Sequence, residues 1–122
     1  MDWYSASRGE VRELKVSGPS APGLLTSGLL ALGIIETRGR SPLIEAVDAA
    51  IKAAPVNILA SYFVGGGCNA VTLTGDTGAV EAALAAARKL MGQPGMEGCT
   101  HLIPRPAGQV WTMIAEKQYG IE

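Results

Sequence analysis

The chain has 122 residues, 17% of them charged, with 10 Lys and Arg against 11 Asp and Glu for a formal net charge of −1. That length suits one compact domain, and the mixed charge forms no basic patch or stripe of the kind that grips nucleic acid. Hydrophobic residues make up 48%, enough for a core, while so few charges on a small domain imply that part of its surface is covered.

Residues 1–28 read as an N-terminal extension. A charged stretch from Arg8 to Lys15 precedes the breaker-rich Ser17-Gly18-Pro19-Ser20-Ala21-Pro22-Gly23. Val11, Leu14 and Val16 suggest one short strand with imperfect alternation. The start lacks the basic residues and apolar run of a signal peptide. The apolar stretch Gly23–Ile35 is too short to span a bilayer and is broken by Thr26, Ser27 and Gly28. A cytoplasmic protein is expected, with no membrane and no nucleic acid among its partners.

Leu30–Glu36 is a predicted buried strand, ended by the turn Arg38-Gly39-Arg40. Ser41 and Pro42 then predict a helix start, with serine as cap and proline in the first turn. Ile44, Val47, Ile51 and Ala54 recur at three- and four-residue spacing and are the expected apolar face. Glu45, Asp48 and Lys52 fall off that face, with Asp48 placed to pair with Lys52. Pro55 stops the helix.

Val56–Val64 and Asn69–Thr74 predict two strands joined as a hairpin through Gly65, Gly66 and Gly67. Asp76 is the expected cap of a second helix, with apolar Val80, Leu84, Ala87 and Met91, ended by Gly92 and Pro94. Cys99–Ile103 is a fourth strand, stopped by Pro104 and Pro106, and Val110–Glu116 a short amphipathic terminal helix. The order strand, helix, strand, strand, helix, strand predicts an α+β, ferredoxin-like split βαβ fold. Its four-stranded antiparallel sheet carries two helices on one face. The other face then meets solvent, the extension or a partner.

Little in the chain points to catalysis. Cys68 and Cys99 form no CxxC pair and are expected to be reduced. His101 is the one histidine, too few for a classical zinc cluster, so no metal and no cofactor are expected. Cys68 as nucleophile with His101 as base is a weaker reading than a small buried thiol. The glycine run lacks the Lys and Ser/Thr of a phosphate loop and joins two strands rather than opening a helix. Glu36, Glu45 and Asp48 read as ordinary solvated charges.

Five segments, in order, resemble the shell-protein domain of bacterial microcompartments. They are Ala31–Gly39, Ile44–Ala54, Val64-Gly65-Gly66-Gly67, Thr74-Gly75-Asp76 with Gly78-Ala79-Val80, and His101–Pro106. The resemblance runs from about Leu30 to Pro106 and divides the chain into an extension (1–28), a shell domain (29–106) and a tail with a short helix (107–122).

The resemblance implies a structural, non-enzymatic subunit of a microcompartment shell. It implies a cyclic homohexamer with a pore on its six-fold axis, tiling beside other shell proteins around encapsulated enzymes. By this likeness Val64, Gly65, Gly66, Gly67 and Cys68 form the pore loop, with Gly66 nearest the axis. Lys52 and Arg105 then belong to the hexamer edge. Glycine at a symmetry axis avoids repulsion among copies and leaves oriented amides, so small polar or anionic metabolites are the expected traffic.

Four features depart from the family pattern. Phe63 and Val64 stand where many relatives carry lysine and isoleucine, which makes the expected rim more apolar. Cys68 directly follows the loop, and in a six-fold ring its copies are candidates to gather an iron–sulfur cluster. The Gly92–Gly98 linker is long, and the extension is a candidate to cover the pore, cross to a neighbour or bind cargo. Judged on fold alone, a ferredoxin-like regulatory module binding a small ligand is the alternative.

Overall fold

A computed structural model describes residues 12–13 and 30–115. The elements follow in the order β1 (Arg12–Glu13), β2 (Leu30–Arg38), α1 (Arg40–Ala53), β3 (Asn57–Gly65), β4 (Cys68–Asp76), α2 (Thr77–Leu90), β5 (Gly98–Pro104) and α3 (Gly108–Ala115). The strands form one antiparallel sheet in the order β1-β3-β4-β2-β5. Without the two-residue β1 this is the split βαβ arrangement expected from the sequence. β1 adds to the β3 edge, Arg12 opposite Ser61 and Glu13 opposite Ala60. The rest of the extension, with Val11, Leu14 and Val16, lies outside the described residues.

One core lies between the sheet and helices α1 and α2. β2 contributes Ala31 and Ile35 to it, both fully buried, and β4 contributes Val71 and Leu73. Between the two β2 residues, a side chain on Gly33 would come within 2.7 Å of Leu73 Cδ1 and 2.8 Å of Val80 Cγ1. Glycine there lets α2 approach the sheet. The helices answer with alanine: Ala46, Ala50, Ala83 and Ala87 are all fully buried. On α2 the predicted face holds, since Val80, Leu84 and Ala87 are buried and Met91 packs against the same core.

The predicted face of α1 holds in part, since Val47 and Ala54 pack against the core, but its centre is shifted. Leu43, Ala46 and Ala50 are its buried residues, whereas Ile44 is 59% and Ile51 44% exposed. Close packing selects the small residues for the inside and leaves the two isoleucines outside. Ser41 is not the cap either. Gly39, at φ 101°, occupies that position, and Ser41 lies inside the first turn. Pro42 is tolerated there because first-turn amides have no helical partner. Asp76 does stand at the N-cap of α2, but its side chain makes no capping hydrogen bond.

The opposite sheet face is partly covered by α3. Trp111 and Ile114 bury themselves against Leu30, Leu32 and Leu59, with Ile34 and Val110 at the margin. Fully burying side chains like these leucines contributes roughly 1.5–3 kcal/mol each. The terminal helix therefore closes a second core on the face the sequence left open.

Candidate functional site

Gly65, Gly66 and Gly67 have φ values of 99°, 63° and 84°, a run that L side chains resist. Gly65 pairs with Cys68 across a two-residue turn, and a turn with positive φ at both central residues matches the right-handed twist of a hairpin. The strand register shifts between Phe63 and Gly65, at Val64. Among the described residues, a side chain on Gly65 or Gly66 would meet nothing within 4 Å. The backbone conformation, not crowding by the described residues, demands these glycines.

The hairpin is tied to the start of α1. The carbonyl of Gly67 accepts the Gly39 amide at 2.7 Å and Asn69 Nδ2 at 3.0 Å. Thr37 Oγ1 donates to the Gly39 carbonyl at 2.9 Å. Asn69 is 6% exposed, and sequence reading passed over it. Its signal was an Asn two residues after a glycine turn, a residue type that bonds nearby backbone. Cys68 is exposed beside the turn. Phe63, expected at the rim, is instead 8% exposed with the Arg40 guanidinium 4.6 Å from its ring centroid. Its ring packs inward and still lines the hollow beside the glycine turn.

Lys52 lies in the last turn of α1, with Nζ 2.9 Å from Asp48 Oδ2, the pair its spacing predicts. The hydrogen bond to Asp48, and then its charge, raise the ammonium pKa further above its ordinary value. Arg105 follows β5 with φ 50°, the one positive value outside glycine among the described residues. Such a conformation costs about 1–2 kcal/mol. Arg105 is exposed while Pro106 beside it is buried.

These residues divide between two ends of the domain. The hairpin sits where β2 ends, Arg38 facing Cys68. Arg105 follows Pro104, which faces Ala31 where β2 begins. Because α1 starts at the hairpin and returns, Lys52 lies about 20 Å along its axis from Gly39. The glycine loop is thus at one end, Lys52 and Arg105 at the other.

The thiol–imidazole pair considered from sequence is not assembled. Cys68 faces Arg38, whereas His101 faces Ile34, four residues away along β2. His101 Nε2 is instead 3.7 Å from Cys99 Sγ, which donates to Glu36 Oε1 at 3.5 Å. Partial burial raises the Cys99 pKa, and the Glu36 carboxylate raises it further. A thiol held in this way is a poor nucleophile.

Comparison with known proteins places this geometry. The BMC domain model matches residues 31–106, more than half of the chain. The chain belongs to the BMC domain family. It is 44% identical over 91 residues to the carboxysome shell protein CsoS1A of Hydrogenovibrio crunogenus, covering 73% of this BMC protein and 94% of that one. It is 47% identical over 83 residues to the "Probable carboxysome shell protein CsoS1E" of Prochlorococcus marinus, covering 66% of this chain but only 40% of that longer relative. A solved microcompartment protein from Desulfitobacterium hafniense DCB superposes with a TM-score of 0.62 at 29% identity, over 71% of this chain and 47% of the other. This BMC protein is a structural shell subunit of a bacterial microcompartment rather than an enzyme.

Proposed function

We propose that copies of the chain close into a cyclic homohexamer in which the glycine hairpins ring a central pore and Lys52 and Arg105 face neighbouring hexamers. The observation that carries this reading is the separation just described. A bare-backbone loop at one end and two exposed cations at the other suit a wedge running from axis to rim. Room for other copies is open at the loop, since among the described residues nothing lies within 4 Å of a side chain placed at Gly65 or Gly66.

The flank of the wedge also fits contact between copies. Exposed Ile44 borders a shallow apolar groove with Leu43, Val47, Ile58 and Phe63. Apolar surface of this kind is stabilised by being covered. In the assembled layer the Lys52 stem lies against the next hexamer, and Arg105 offers forked donors to facing carbonyls. The ring of Val64, Gly65, Gly66, Gly67 and Cys68 passes small polar or anionic metabolites, selected by pore width and backbone amides. Its partners are other shell proteins and the enclosed enzymes. The carboxysome names of its relatives make that compartment our reading of the shell. Light scattering on the purified full chain tests the assembly: six chain masses and sheets by electron microscopy support it, and a stable monomer or dimer contradicts it.

A further inference from the structure

Three side chains of metal-ligating kinds, one from β2 and two from β5, meet on the exposed sheet face. Leu30 and Leu32 of β2 point toward α3 with Ile34 at the margin, and Glu36 continues that row. β5 pairs with β2 so that Cys99 stands opposite Glu36 and His101 opposite Ile34. Cys99 and His101, two residues apart on one strand, therefore share the face with Glu36. Cys99 Sγ is 3.5 Å from Glu36 Oε1 and 3.7 Å from His101 Nε2. All three ligand atoms lie within 4.8 Å of one another.

Those separations suit a tetrahedral ion. A zinc ion about 2.3 Å from sulfur and about 2.0–2.2 Å from nitrogen or oxygen sets its ligands roughly 3.5 Å apart. Both distances to sulfur match that value within a few tenths of an ångström. The paired strands fix the three backbones in register, so little has to be reorganised when an ion enters. The donor set is also selective. One thiolate, one imidazole and one carboxylate favour a borderline-soft divalent ion over magnesium or calcium, which prefer oxygen shells. Without an ion the same three groups form a hydrogen-bonded trio, His101 Nε2 against the sulfur that donates to Glu36; metal titration separates the two arrangements.

We propose that Glu36, Cys99 and His101 form a binding site for one zinc-type divalent cation, with a fourth coordination position left open. Binding exchanges the thiol proton for the metal–sulfur bond, the proton passing to solvent. The open position takes water or an incoming donor. Glu36 and Cys99 border a hollow that also reaches Cys68 and Asn69 at the base of the hairpin, so a bound ion sits toward the glycine loop without being part of it.

Titration of the full-length protein with Co2+, followed by competition with Zn2+, tests the site. We expect one Co2+ per chain, tetrahedral d–d bands and a thiolate-to-cobalt charge-transfer band, all displaced by Zn2+ but not by Mg2+. Cys99→Ser should abolish the charge-transfer band, and Cys68→Ser should leave it unchanged. Glu36→Gln should keep the band but weaken Zn2+ binding by about tenfold or more. The three substituted residues are exposed, and far-UV circular dichroism verifies that each variant is folded. No saturable Co2+ binding, or a band that survives Cys99→Ser, overturns the proposal. So does displacement by Mg2+ as readily as by Zn2+. None of these outcomes depends on whether the chain forms hexamers.

Discussion

The amide of Gly39 donates to the carbonyl of Gly67 at 2.7 Å, which joins the tip of the β3–β4 hairpin to the start of α1. Asn69 Nδ2 bonds the same carbonyl from within β4. The glycine turn is consequently a latched loop, although its three φ values alone would give it ample freedom.

Asn69→Ala removes one of the two donors and leaves the other in place. A lost side-chain hydrogen bond of this kind costs about 1 kcal/mol. Chemical denaturation should show that loss, and hydrogen exchange should show faster exchange confined to the hairpin amides. An unchanged midpoint with unchanged exchange would mean that the Gly39 amide alone secures the loop.

At Gly66 the positive φ of 63° narrows the usable substitutions. Asparagine and aspartate tolerate this region better than other side chains, so they form a matched pair differing mainly in charge. Both should assemble. If the hairpins ring an axis, Gly66→Asp gathers one carboxylate from each copy and should slow an anionic solute through intact shells by roughly tenfold relative to Gly66→Asn. About 1.4 kcal/mol of repulsion is enough for that factor. Equal anion flux through the two variant shells would remove Gly66 from the transport path.

Lys52 pairs with Asp48 in full exposure, and an exposed pair adds little to folding. Lys52→Asp should therefore leave the thermal midpoint and the oligomeric mass nearly unchanged. Electron microscopy should find isolated discs in place of extended sheets. Sheets as extensive as those of the parent protein would place the edge contact elsewhere.

Arg105 is held at φ 50° without being glycine. Arg105→Gly relieves about 1 kcal/mol of backbone strain and loses a comparable amount through the freer unfolded chain. Folding stability should thus stay within about 1 kcal/mol of the parent, while sheet formation is lost with the guanidinium. A variant that folds and still tiles normally would show that the strained arginine serves no edge.

The elements were legible because each is written in its own stretch of chain: an apolar run in β2, helical spacing in α2, breakers at Pro55, Gly92 and Pro94. The centre of the α1 face was not. Hydropathy ranks Ile44 and Ile51 as interior, but close packing gives the interior to Ala46 and Ala50. The glycine turn could be located from residue type alone, whereas its latch through Gly39 needs the fold. The same holds for Glu36 and Cys99, which are 63 positions apart and meet only through the β2–β5 register. Counting histidines could not find that group, because its donors are of three different kinds.

Electron cryomicroscopy of the assembled protein is the most direct measurement. It should show rings of six copies with Gly66 as the residue nearest the rotation axis and Lys52 and Arg105 on the outer edge. Rings of another order, or a ring with Gly66 on its outer edge, would contradict the assembly.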